Sequence, residues 1–218
     1  MSVLTRPRHP LVATALRLAR QWCEGHVIDG APALAHAVQV AMKLGEHVHD
    51  APPALVAAVL VHDSPEFAPF DVRLDDVLTV ALGDDVRRVV RALQREHDAL
   101  DAGNPELPPL ADGWVVQASA ADKIVSLTSI LGRAAAAEDP EEFWRVRRPF
   151  IALVPHFRQF HDAVAKAVPS SMAQELGRLV QMAEAATDAP DEQPGGALRD
   201  GGGPYRCSWR TSGGGVLP

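Results

Sequence analysis

The chain has only two cysteines in 218 residues, Cys23 and Cys207. They are too few and too far apart for a disulfide framework or a thiolate zinc site, and such sparing use of thiols suits a cytosolic setting. No apolar run approaches the roughly 20 residues that a bilayer span requires. The first ten residues also lack the charged-then-apolar order of a secretory signal. Positive charge is short, with 21 Lys+Arg against 28 Asp+Glu and a net charge of −7, which argues against general nucleic-acid binding. Lysine is scarcer still, 3 residues against 18 arginines, a bias that reads as GC-rich coding rather than chemistry. Strand-type alternation of Val, Ile and Thr is nowhere sustained, and no internal repeat is visible.

What is present is a globular composition, 47% hydrophobic and 22% charged. It changes abruptly only near Thr187: eight of the sixteen glycines lie between Asp188 and Pro218. Such a segment cannot offset its ordering entropy by burial. The expected organisation is a domain over 1–187 and a disordered Gly/Pro-rich tail over 188–218.

The domain reads as helix after helix, and the expected class is all-α, a bundle of about eight helices. Val12, Ala15, Leu16, Ala19 and Trp22 recur at helical spacing after Pro10, and Leu34, Ala37, Val38, Ala41 and Leu44 do so up to a stop at Gly45. A third helix, from Pro53 to about Asp63, is apolar on every side and belongs at a bundle centre. Further helices are expected at 74–82, 84–97, 113–137, 141–166 and 170–186, with a Pro/Gly loop at 98–112.

Several polar residues sit where apolar ones are expected. His62-Asp63 closes the all-apolar helix, and a carboxylate in a bundle centre costs several kcal/mol unless a cation compensates it. Asp122 shares a helical stripe with Val115, Ala118 and Val125, the inward side. His36 lies on an amphipathic helix with Val40 four residues on. Two imidazoles and two carboxylates from three helices make an N/O site for a divalent first-row ion: manganese, iron, or zinc of expanded coordination. Glu46-His47-Val48-His49-Asp50 lies past the Gly45 stop and reads as a solvated connection. His156 and His161, five apart, read as structural. Arg88, Arg91 and Arg95 line one helix face, either solvated or attracting a phosphorylated ligand.

The order His36, His62-Asp63, Asp122-Lys123 resembles the H…HD…D signature of HD-domain metal-dependent phosphohydrolases. Gly30-Ala31-Pro32-Ala33-Leu34-Ala35-His36 is similar to the G-x-P-x-x-x-H segment of the RelA/SpoT-type guanosine polyphosphate hydrolases and their small single-domain relatives. Ala57 to Glu66 resembles their A-x-L-L-H-D-x-x-E segment, Gly83 to Val90 their G-x-x-V-x-x-L-V helix, and Ala121 to Leu127 their A-D-K-L-x-N-L. The likeness covers roughly residues 10 to 186.

The resemblance implies an HD-type bundle holding one Mn²⁺-like ion through His36, His62, Asp63 and Asp122. It implies that Glu66 deprotonates the attacking water and that Lys123 and Ser126 face the substrate. The implied reaction removes pyrophosphate from the 3′ position of a guanosine polyphosphate, in a cytoplasmic enzyme that takes a phosphorylated small molecule, not nucleic acid or membrane, and that could dimerise through an apolar stripe. Lys123 reads equally well as the partner of a neighbouring acid. Ser64-Pro65-Glu66 also reads as a helix cap, a first-turn proline and an acid favoured by the helix dipole. The sequence departs from the family pattern at Phe67, where a second acid is usual, and at Ala33, Ser119 and Ser126. It also has a shortened loop between His26 and Gly30, only Val27, Ile28 and Asp29, where relatives carry several Arg/Lys. These departures leave open a related phosphohydrolase with another substrate, or a non-catalytic binding protein.

Overall fold

A computed structural model describes residues 3–4, 8–28 and 30–188. The chain forms α1 (Pro10–Trp22), a hairpin of β1 (Val27–Ile28) and β2 (Ala31–Pro32), α2 (Ala33–His47), α3 (Pro53–Leu60), α4 (Ser64–Phe67), α5 (Leu74–Leu82), α6 (Asp84–Asp101), α7 (Gly113–Ala135), α8 (Pro140–Arg145), α9 (Arg148–Val164) and α10 (Ser170–Thr187). The all-α expectation holds. All of the expected tail except Asp188 lies outside the described residues.

Local chemistry accounts for most helix ends. Pro10, Pro53 and Pro140 stand in first turns, where a missing N–H costs nothing. Asp112 and Asp139 cap α7 and α8 by accepting from the backbone N–H of Val115 and Glu142. Gly83 separates α5 from α6 at φ 93°, a conformation that L side chains rarely adopt.

The centre is built as the apolar pattern requires. Every residue from Leu55 to Leu60 is buried, and α3 packs against α1, α2 and α6. The long α7 packs against α2, α6 and α10, and α10 against α9. Each fully buried Leu or Val contributes about 1.5–3 kcal/mol relative to exposure.

Four expected boundaries are corrected. α3 stops at Leu60 rather than near Asp63, because the Pro65 ring would clash with the Val61 carbonyl in a continuous helix. α2 runs through Gly45 to His47: Gly45 is a close-packing point rather than a stop, since a Cβ there would meet Val3 at 2.6 Å. The helix expected over 141–166 is broken at Val146–Arg147 and restarts with Pro149 in the first turn of α9. α6 continues to Asp101, past the expected end at 97.

Candidate metal centre

The break after α3 gives the His-Asp doublet its use. Adjacent residues on a regular helix diverge by about 100°, whereas the turn over Val61–Asp63 directs both side chains into the bundle. His62 Nδ1 lies 2.7 Å from the Val59 carbonyl oxygen, so Nδ1 carries the hydrogen and donates it. Nε2, the other ring nitrogen, faces Asp63 Oδ1 at 3.2 Å and Asp122 Oδ1 at 3.5 Å.

The four expected ligands meet. His36, from α2, places Nε2 3.0 Å from Asp122 Oδ1 and 3.9 Å from Asp63 Oδ2. Ligand atoms of His36, His62 and Asp122 lie within 4.8 Å of one another. The burial is nearly complete, with Asp63 3% and Asp122 1% exposed. Two like-charged carboxylates and an imidazole lone pair converge in a medium of low dielectric, and a cation between them relieves that arrangement. The second-sphere contact of His62 with a backbone carbonyl is the usual way a ligating ring is oriented. The donor set fits a divalent ion.

His97, which the sequence reading passed over, also belongs here. It projects from α6, is 5% exposed, and places Nε2 3.4 Å from Asp122 Oδ2. Its Nδ1 is 3.9 Å from Asp63 Oδ1 and 4.0 Å from Glu66 Oε1. The available signal was the amphipathic pattern of α6: Val86, Val89, Val90, Leu93 and Leu100 mark its buried stripe, and His97 continues it. Glu66 stands at the solvent edge of the site, with its side chain one-third exposed. Ser64 does not cap α4; its hydroxyl donates to the Val61 carbonyl.

Lys123 makes the ion pair. It is 1% exposed, with its ammonium on Glu96 and Ser119 Oγ and 4.3 Å from the Phe160 ring centroid. Ser126 is buried, and its Oγ has no hydrogen-bond partner among the described residues. Phe67, where the family pattern has an acid, stacks on His26 at 4.6 Å between centroids. Together with Leu34 it packs against Cys23, Ile28 and Ala33. The departures at 67, 33 and the short loop are thus one feature, a small apolar cluster bordering the site. Burial and the charge of Asp63 push the Cys23 thiol up to about 11. Beside this cluster opens a cleft of about 700 Å³ whose lining includes Arg17, Arg20 and His26.

The chain has the fold of a SpoT ortholog. A solved structure described as a metazoan ortholog of SpoT that hydrolyzes ppGpp, with a role in starvation responses, superposes with a TM-score of 0.56. The match covers 81% of this chain and 97% of that one at 15% identity. No protein-family profile matches the chain, and no curated protein does.

The other candidates contact neighbouring side chains away from this pocket. Contrary to the solvated reading of 46–50, His47 lies within α2 and bonds Glu175 at 2.8 Å and Ser171 at 2.9 Å, tying α2 to α10. Lys43 joins both Glu46 and Glu175, so an ammonium already compensates these acids. Burial raises the Glu175 carboxyl, but the hydrogen bonds from Lys43 and His47 outweigh it and hold the group below its usual range. Arg88 pairs with Asp85 and Asp112, and Arg91 with Asp75, as a surface network. His161 packs over Gly177, where a Cβ would approach its ring at 2.7 Å.

Proposed function

We propose that the protein is a metal-dependent phosphohydrolase acting on a guanosine polyphosphate or a close phosphorylated relative, with His36, His62, Asp63 and Asp122 holding a divalent ion such as Mn²⁺. One observation carries this reading: four buried side chains from three separate segments, two imidazoles and two carboxylates, come together in one pocket, with the partly exposed Glu66 beside them. The shared fold with a ppGpp hydrolase supports the substrate class.

A divalent ion in this position supplies Lewis acidity, lowering the pKa of water toward neutrality and offsetting charge on phosphoryl oxygens. The chain's own residues do the rest. Glu66, partly exposed and next to the ligands, accepts a proton from the attacking water. The water oxygen bonds to the phosphorus joined to the 3′-oxygen, that P–O bond breaks, and the 3′-oxygen leaves as a hydroxyl after taking up a proton. Arg17 and Arg20 line the adjacent cleft and offer guanidinium donors to the other phosphates. Asp122 also lies within hydrogen-bond distance of His97 Nε2, which helps to hold the aim of its carboxylate.

The apolar cluster of Phe67, Cys23, Ile28 and Ala33 favours a second reading of the substrate alone. An apolar wall that stacks an imidazole on a phenyl ring suits a flat, weakly polar group better than a row of phosphates. A turnover assay with Mn²⁺ and a panel of nucleotides separates the two. Pyrophosphate released from a 3′-diphosphate supports the first, and turnover confined to other phosphate esters supports the second. Glu66→Gln should lower kcat by 100-fold or more, the usual scale of a positioned base, with Mn²⁺ binding retained. A variant at wild-type rate would remove Glu66 from the chemistry.

A further inference from the structure

Away from the metal pocket, three side chains form a relay that the phosphohydrolase chemistry does not use. Ser171 and Glu175 stand one turn apart on α10, and His47 reaches between them from the end of α2. Its ring spans the two: Nδ1 lies 2.9 Å from Ser171 Oγ, and Nε2 lies 2.8 Å from Glu175 Oε2.

The acid sets the direction of these hydrogen bonds. Against its burial, the hydrogen bonds from Lys43 and His47 keep Glu175 ionised, so its oxygens accept and Nε2 carries the hydrogen. In the neutral ring Nδ1 is then the lone pair, and the Ser171 hydroxyl donates to it. A hydroxyl within reach of a base, with the base oriented by a third group, is the arrangement that activates a serine. Glu175 is itself fixed, since its other oxygen takes the Lys43 ammonium at 3.0 Å. The side chains of His47 and Glu175 are 8% and 23% exposed, so base and acid are shielded while Ser171 faces solvent. Ser171 also lies in the first turn of α10, where the N-cap Pro169 offers no side-chain acceptor. The N–H groups of such a turn have no acceptor within the helix, and they are the donors that an oxyanion beside Oγ would need.

Glu46, His47 and Glu175 also bring one ligand atom each within 4.8 Å of one another. They do not suit a metal ion, because Nε2 gives its hydrogen to Glu175 and the Lys43 ammonium lies 2.6 Å from Glu46 and 3.0 Å from Glu175.

We propose that Ser171, His47 and Glu175 form a second, metal-independent centre that cleaves short, uncharged carboxylic esters. Ser171 Oγ bonds to the carbonyl carbon of the ester while its proton passes to His47 Nδ1. The ester C–O bond breaks, the leaving alcohol takes that proton, and the acyl group stays on Ser171. Water then gives a proton to Nδ1 as its oxygen bonds to the acyl carbon. The acyl–Oγ bond breaks and the proton returns to Ser171. Glu175 is a positioning residue that keeps Nδ1 turned toward the hydroxyl. Charge selects the substrate: Glu46 and Glu175 outnumber Lys43 and disfavour an anionic phosphate here.

The test is treatment of the full chain with a fluorophosphonate, which phosphonylates activated serines with loss of fluoride, in the presence of EDTA. Peptide mass spectrometry locates the adduct, and hydrolysis of p-nitrophenyl acetate is followed in parallel. An adduct on Ser171 is expected, together with ester turnover that the adduct blocks. His47→Gln should slow both by about 100-fold or more, with an unchanged helical circular dichroism. The absence of an adduct on Ser171 in the wild type overturns the proposal, as does labelling at the wild-type rate in a folded His47→Gln protein. Should that variant fail to fold, Ser171→Ala decides: ester turnover that survives it overturns the centre. Metal-dependent phosphate chemistry should be unchanged in Ser171→Ala, so the two activities stand or fall separately.

Discussion

Lys123→Met offers the sharpest test of how this site is supported. Lys123 and Glu96 are 1% and 4% exposed and join α7 to α6 directly behind Asp122 and His97. Methionine keeps most of the aliphatic stem against Phe160 but removes the ammonium, leaving Glu96 with the hydrogen bond from the Ser119 hydroxyl at 2.9 Å. Breaking a buried pair from one side costs about 3–5 kcal/mol, since the remaining charge stays desolvated. A domain of this kind is stable by only about 5–15 kcal/mol. With a urea dependence of about 1–3 kcal/mol per molar, the midpoint should drop by roughly 1 M or more. The double variant Lys123→Met/Glu96→Leu removes both charges and should recover most of the loss, giving a coupling energy of about 2 kcal/mol or more in a double-mutant cycle. Urea titrations followed by circular dichroism measure all four proteins. A loss below about 1 kcal/mol for Lys123→Met, with no recovery in the double variant, would refute a structural pair. If instead KM rose and stability held, Lys123 would be a phosphate contact.

Three other outcomes follow from the geometry. Asp122→Asn should raise the melting temperature of the metal-free protein by relieving repulsion with Asp63, while abolishing the stabilisation by Mn²⁺, which in the wild type reaches about 2.7 kcal/mol at a hundredfold excess over Kd; a Mn²⁺-induced shift that survived would dismiss Asp122 as a ligand. His156 is buried, and neither ring nitrogen has a hydrogen-bond partner among the described residues. Burial, then the charge of Lys123, hold its pKa below the usual 6.5, against an opposing pull from Glu96. As pH falls below 6.5 the unfolded chain gains a proton that the folded one refuses, so stability declines toward the lowered folded value. His156→Leu should therefore stabilise by about 1–2 kcal/mol and flatten thermal stability between pH 6.5 and 5; an unaltered slope would contradict this. Finally, with its thiol near 11, Cys23 should alkylate about 100-fold more slowly than a free cysteine at pH 8 in a Cys207→Ser background. Labelling at the free-thiol rate, followed by mass spectrometry, would count against the buried setting.

Much of the site was legible because burial and charge conflict in the sequence itself. His62-Asp63 ends an unbroken apolar run, and Asp122 interrupts an inward stripe; both stand out without coordinates. His97 was not legible, because Arg95, Glu96 and Asp98 surround it and make it look like part of a charged surface. Glu96 misleads in the same way: a charged side chain on α6 reads as solvated, and only the arrival of Lys123 from 27 residues away makes its burial tolerable. The break after Leu60 was present in Pro65 but hidden by the continuity of the apolar pattern.

By itself, the order of residues determined the helical class and the apolar centre and singled out the four candidate ligands, since periodicity and misplaced charge are properties of a chain read locally. Tertiary structure decided what no local pattern holds. It brought His97 and Glu66 to the same pocket, gave Lys123 to Glu96, and gathered Phe67, Ala33 and Ile28 into one wall. These are contacts between distant segments, and their energies depend on which faces of the packed helices meet.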